Sequence, residues 1–144
     1  MSDPIATLIH QHHEADALLA RVEGALRGDD WPLAQRCFDE AEQSLLGHFE
    51  LEEQQLFPAF EAATGMRHGP TAVMRDEHAT MRDLLDSCRM QLIAADRDGL
   101  LAELDTLLVL IQQHNVKEEN VLYPMCALRV ADLATLLARS GQPA

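Results

Sequence analysis

Histidine and glutamate recur in this chain at the spacing of metal ligands on a helix. His48 precedes Glu52 by four residues, and His114 precedes Glu118 by four. Side chains four apart share one helix face, with Cβ atoms about 5–6 Å apart, so each pair can reach one small centre. Both pairs lie in segments that copy each other, HFELEEQQLFP over 48–58 and HNVKEENVLYP over 114–124. The offset of 66 residues continues without a gap, mapping Pro4 onto Pro70, His12 onto His78, Leu18 and Leu19 onto Leu84 and Leu85, and Asp30 onto Asp96. A duplicated half that repeats its histidines and carboxylates in place predicts one site with internal two-fold symmetry.

The candidate ligands are His12, His48, Glu52, His78, His114 and Glu118. Six donors exceed what a tetrahedral zinc takes and suit two first-row metals bridged by the two carboxylates. Mixed imidazole and carboxylate ligation with open positions points to iron, ahead of manganese or zinc. A single helical histidine is ordinarily a surface or satisfied core residue, and a single H-x-x-x-E is common on helices. Two copies, each with a histidine 36 residues upstream, are much harder to dismiss. Burying four imidazoles and two carboxylates without a cation would be costly.

The elements that must hold these residues read as helical nearly throughout. Pro4 and Pro70 suit first-turn positions, where a missing N–H costs nothing, with Asp3 and Gly69 as the preceding caps. Apolar residues recur at helical spacing in helix one: Ile5, Leu8, Ile9, Ala15, Leu18, Leu19, Val22 and Leu26. Gly28, Asp29 and Asp30 end it and cap the next. Helix two is predicted over about 31–63, bent near Pro58 and closed by Gly65. Helix three is predicted over about 70–94, a tight turn over 96–98, and helix four from about Gly99 to Pro124. A short amphipathic helix over about 130–139 caps one end. The expected fold is all-α, an antiparallel up-down four-helix bundle with an additional C-terminal helix and an internal repeat at offset 66, forming one domain over 1–144 with its core over 4–126.

The ligands can be tested against that bundle. In an antiparallel hairpin, residues equidistant from the turn lie at one height. The midpoint of His12 and His48 is Asp30, and that of His78 and His114 is Asp96, both at predicted turns. Glu52 and His78 each lie 13 residues from Gly65. At a rise of about 1.5 Å per residue, all four helices bring their candidate ligands to one level.

Other residues at the margin read more plainly. His13 adjoins His12 and is the alternative to it, but the repeat selects His12. His10 and His13 share a face and read as solvated residues or as supports behind the ligands, and His68, just before helix three, reads as a surface or capping residue. Glu53 and Glu119 sit about 100° round the helix from Glu52 and Glu118 and read as rim carboxylates or hydrogen-bond partners of ligand histidines. Phe57 and Tyr123 fall five residues past those glutamates and read most simply as core, with a donor role for the Tyr123 hydroxyl as the alternative.

Composition narrows the class. The formal net charge of −13 over 144 residues argues against nucleic acid and anionic membrane surfaces, which require basic patches. No apolar run approaches the roughly 20 residues of a membrane span, and no basic segment followed by an apolar one opens the chain. Cys37, Cys88 and Cys126 are odd in number and far apart, as expected of reduced thiols in a cytoplasmic protein.

With these motifs the chain resembles the hemerythrin-like, or HHE cation-binding, family over about residues 4–126. The elements that match are His12, the doubled H-x-x-x-E-E-x-x-L-[FY]-P motif and the Glu77-His78 pair. The resemblance implies a non-heme di-iron centre, bridged by Glu52, Glu118 and an oxo or hydroxo group, with His12, His48, His78 and His114 as terminal ligands and an open position for a diatomic ligand. Oxygen-carrying hemerythrins have a fifth histidine one turn from another on the third helix, where this chain has Met74 and Arg82 around His78. They also carry H-x-x-x-x-D on the last helix, where this chain has H-x-x-x-E. The set of four histidines and two glutamates resembles the centres of iron–sulfur-cluster repair proteins and of iron-sensing hemerythrin domains.

Two functional classes follow from the resemblance. The first is a module that binds or senses O2 or NO, or reports iron or redox status. The second is a redox enzyme that reduces peroxide or NO, or donates iron for cluster repair. A third reading gives the metal a structural or iron-buffering role.

Overall fold

Prolines and acidic caps set where each helix starts. The computed structural model describes residues 3–140, and side chains as far as residue 138. Residues 1–2 and 141–144, the ends of the expected 1–144 domain, lie outside the described residues. Helix α1 spans Pro4–Arg27, capped by Asp3, whose side chain accepts from the Ile5 N–H. Helix α2 spans Trp31–Leu51, and α4 spans Pro70–Ile93, the latter preceded by Gly69. Between them α3 spans Phe57–Thr64 and ends on Gly65 at φ 72°, a left-handed closure that favours glycine. Helix α5 spans Arg97–Lys117, α6 spans Tyr123–Arg129 and α7 spans Leu133–Ser140. No strand occurs among the described residues.

The two short turns have one design. Asp30 caps α2 by accepting from the Leu33 N–H, and Asp96 caps α5 by accepting from the Gly99 N–H. The preceding residues, Asp29 and Ala95, are left-handed at φ 57° and 55°. The Asp30 N–H bonds back to Ala25 O at 2.8 Å, and the Asp96 N–H to Gln91 O at 3.0 Å. The Asp96 cap starts α5 at Arg97, two residues before the Gly99 expected from the sequence.

The structure departs from the sequence reading just beyond the candidate ligands Glu52 and Glu118. Helix two does not simply bend near Pro58. A π-helical turn, Glu52–Leu56, links α2 to α3, and a second, Glu118–Leu122, links α5 to α6. In each turn the following N–H, of Phe57 or Tyr123, reaches back to the carbonyl of Glu52 or Glu118. The wider i→i+5 turn inserts one residue before each proline, which has no N–H to give. The C-terminal helix starts at Leu133 rather than Val130, because Asp132 turns left-handed at φ 55°.

Helix α1 packs along α2 and α4 along α5, while contacts of α1 with α5 and of α2 with α4 close the helical bundle. The apolar interior is divided in two. One core, toward the short turns, holds Leu19, Leu26, Phe38, Leu85, Leu100, Leu104 and Ile111. The other holds Leu8, Leu56, Phe57, Phe60, Met74, Leu122, Tyr123, Leu133 and Leu137. In each long helix the candidate ligands fall where one core gives way to the other: His12 between Leu8 and Ala15, His48 between Leu45 and Leu56, His78 between Met74 and Met81, and His114 between Ile111 and Leu122. None of the described helices is long and apolar enough to cross a membrane.

Candidate metal centre

All six residues singled out by spacing are buried in that belt between the cores, Glu52, His78 and Glu118 at 0 % exposure. They form two overlapping groups. Glu52, His78, His114 and Glu118 converge in one, and His12, His48 and Glu118 in the other, each with donor atoms within 4.8 Å of one another. The Nε2 atoms of His12 and His48 are 3.1 Å apart, and those of His78 and His114 are 3.2 Å apart. His10, His13 and His68 are exposed and take no part, so the alternative of His13 for His12 is set aside.

The outer nitrogens explain why the inner ones converge. His12 Nδ1 donates to Glu119 Oε2 at 2.8 Å and His78 Nδ1 to Glu53 Oε2 at 2.6 Å. His48 Nδ1 donates to Gln11 Oε1 at 2.7 Å and His114 Nδ1 to Glu77 Oε1 at 2.8 Å. An acceptor on every Nδ1 keeps a proton there and turns the Nε2 atom inward. Glu53 is clamped by Arg82 at 2.8 and 2.9 Å, and Glu77 is paired with Lys117. Glu53 and Glu119 fulfil the partner role read from the sequence. Gln11 and Glu77 do so too, and sequence reasoning missed them. Each immediately precedes a helix-one or helix-three histidine at the 66-residue offset, which was the available signal.

Electrostatics describe a site waiting for positive charge. Burial opposes an imidazolium at His48, but Glu52 and Glu118 outweigh it and raise its pKa to about 10. His114 is raised by Glu118, Glu52 and Glu77, again against burial. Burial pushes Glu118 up, yet its hydrogen bonds with Glu52, His114, His12 and His48 hold it well below the usual carboxylate range. Burial also raises Glu53 and Glu77, and their cationic partners lower them further than burial raises them.

The donor set fits a metal. Glu52 Oε1 and Glu118 Oε2 are buried without an aligned hydrogen-bond donor among the described residues, although Glu52 Oε1 lies 3.1 Å from His78 Nε2. Buried carboxylate oxygens in that condition are costly. A cation between Nε2 lone pairs and carboxylate oxygens removes the cost, and a proton on His48 does so only in part.

Tyr123 also enters the site. Five residues past Glu118, it would point elsewhere on a regular helix, about 140° away at 100° per residue. The π turn returns it to the glutamate's face, and its hydroxyl lies 2.9 Å from Glu118 Oε1 and 2.8 Å from Glu52 Oε2. Its counterpart Phe57 stays in the core and stacks on His78 at 5.6 Å between centroids. Burial, then the two glutamates, push the Tyr123 phenol well above its usual range.

A family model described as hemerythrin HHE cation binding domain matches residues 3–126, nearly all of the chain. No curated protein and no solved structure gives a match.

Proposed function

This chain belongs to the hemerythrin HHE cation-binding family, and on that premise we propose that it is a non-heme di-iron protein that binds or senses a diatomic ligand, O2 or NO, or reports iron or redox status. The observation that carries the metal reading is the set of four inward Nε2 atoms, each on a ring whose Nδ1 is already partnered. His12, His48, His78 and His114 would hold the irons through their imidazole nitrogens, and Glu52 and Glu118 through their carboxylates. When bound, the irons would supply a coordination position for a diatomic ligand and a change of oxidation state. The chain's own part is to hold the rings, neutralise the cations with two carboxylates and exclude bulk water.

Cavity size supports a small ligand. A pocket of about 10 Å³ abuts His12 and His48 and is otherwise lined mainly by Ala15, Leu45, Phe49, Met81 and Ile111. That is the scale of a single water, so this face has no room for a larger substrate. A larger groove of about 230 Å³ runs past Glu77 but is lined by none of the six ligands.

The proposal takes the protein as a single cytoplasmic domain. Its four long helices run up and down and repeat at an offset of 66, and α7 covers one end. Support comes from the pairing of α1 with α2 and α4 with α5, and from turns of one design. A second reading, a redox enzyme acting on peroxide or NO or donating iron, is favoured by one observation. Arg82 is engaged by Glu53 and Met74 is packed in the core, so no fifth histidine limits access beside His78.

The test is elemental analysis of protein purified without oxygen, followed by exposure to O2 and to NO. About two irons per chain and a reversible adduct support the binding reading. Rapid irreversible oxidation with peroxide turnover supports the enzyme. Absence of bound metal sinks both.

A further inference from the structure

The two halves of the site are not identical. His78 and His114 share both Glu52 and Glu118, whereas the group around His12 and His48 contains only Glu118. Glu52 Oε1 nevertheless lies 3.4 Å from His48 Nε2, so the two halves differ less in carboxylates than in what else enters them. The hydroxyl of Tyr123 lies in the His12 and His48 half, 3.1 Å from His12 Nε2 and 3.3 Å from His48 Nε2.

Hydrogen bonding does not account for that position. A phenol has one proton and can give it to one acceptor. Here two carboxylate oxygens and two imidazole nitrogens crowd one hydroxyl at 2.8–3.3 Å. Both rings keep a proton on Nδ1, facing Glu119 and Gln11. Even with a proton on His48 Nε2, the contacts with the second carboxylate and with His12 Nε2 bring electron pair against electron pair.

The same distances are natural for donors on a common cation. Ligands at about 2.1 Å from a metal, at right angles to each other, lie about 3.0 Å apart. Beyond the four hydroxyl contacts, His12 Nε2 lies 3.1 Å from His48 Nε2 and 3.0 Å from Glu118 Oε1. The longer separation of His48 Nε2 and Glu118 Oε1, 3.9 Å, approaches that of ligands facing each other across the cation.

Comparison with the other half isolates the oxygen. Phe57 occupies the position of Tyr123 in the first copy and is equally buried. Its ring stacks on His78 at 5.6 Å, as the Tyr123 ring stacks on His12 at 5.7 Å. Packing needs only the ring. The hydroxyl is an addition to one half.

We propose that Tyr123 is itself a metal ligand, its phenolic oxygen coordinating the cation held by His12 and His48, so that the two metal positions are chemically inequivalent. The inference rests on the two-metal reading above. Coordination releases the phenolic proton to solvent as the cation binds. An anionic oxygen favours the more highly charged ion, so the iron at His12 and His48 is the one held preferentially as ferric.

Tyr123 is the sole tyrosine in the sequence, so one spectrum addresses one residue. The full chain is stripped of metal, reconstituted with ferrous iron and oxidised in air. The expected result is a phenolate-to-iron absorption band in the visible, with tyrosine ring vibrations enhanced in resonance Raman. Tyr123→Phe, which installs the residue of the other half, abolishes the band and weakens one of the two binding steps at least about tenfold. Phe57→Tyr, which mirrors the hydroxyl, intensifies the band. Wild-type protein with two irons and no phenolate signal overturns the tyrosine ligand and leaves the metal centre standing. Wild-type protein that takes up no iron overturns both.

Discussion

Glu53 Oε2 lies 2.6 Å from His78 Nδ1, while the Arg82 guanidinium forks onto the same carboxylate. This orients a ring that is itself fully buried. Replacing Glu53 with Gln removes the negative charge and half of the Arg82 clamp. Metal affinity should fall about 10–100-fold with little change in helix content. A competition titration against a chelator checks it, and unchanged affinity would mean the ring is held by packing alone.

Histidines of this chain should separate cleanly by alanine substitution. His114→Ala and His48→Ala each remove a converging Nε2 and should lose bound metal. His68→Ala changes an exposed residue outside the helices and should keep full occupancy. Elemental analysis of the three purified variants decides it; iron loss in the His68 variant would contradict the site described.

Metal-free protein should lose stability as pH rises. The His48 pKa is raised in the fold to about 10, chiefly by Glu52 and Glu118 against burial, from an unfolded value of about 6.5. A raised folded value means that protonation favours the fold. The contribution is complete below about pH 6.5 and disappears as pH climbs through 10. Urea midpoints of metal-free protein should fall between pH 6 and 10, and iron-loaded protein should be spared this loss because the cation replaces the proton. Equal midpoints for metal-free protein across that range would refute the charge state assigned to His48.

Two of the cysteines should be inert in the native protein. Burial pushes Cys88 up to about 12, with Glu103 adding to it, and pushes Cys126 up to about 12, with Glu52 and Glu118 adding. Thiolate is the reactive form, so a disulfide reagent at pH 8 should label neither until denaturant is added. Fast labelling of either in native protein would show the core opening locally.

The α5 cap offers a stability test away from the site. A Cβ added at Gly99 would lie 2.3 Å from Asp96 Oδ2, the side chain that caps α5. Gly99→Ala must displace that cap at a cost of about 1 kcal/mol, which cancels most of the roughly 1 kcal/mol that alanine gains over glycine inside a helix, so Tm should stay nearly unchanged. Thermal melting of the metal-loaded protein measures it, and a Tm raised by roughly 3 °C would show that the cap contributes little.

Much of this geometry was legible in the sequence because it depends on a single helical period. His48 and Glu52 share a face whatever surrounds them, and Asp30 and Asp96 mark turns by their own side chains. Gln11 and Glu77 were not legible in that way. Each contacts a histidine 37 residues away on the neighbouring helix, which depends on how two helices are rotated against each other. Tyr123 reads most simply as core, and at 100° per residue its side chain would face away from Glu118. The π turn changes that angle, and its only sequence trace is the proline that follows each aromatic.

The polar belt between the two cores has a consequence for how the molecule comes apart. With cations in the belt, each long helix is tied across it, and both apolar ends unfold as one cooperative unit. Without them, only the continuous long helices and a belt of neighbouring carboxylates and shared protons join a large core to a smaller one built largely on α3, α6 and α7. Amide exchange in the metal-free protein should then begin at that smaller end while the turn-side core stays protected. The occupant of the centre would thereby decide whether this chain behaves as one folding unit or two.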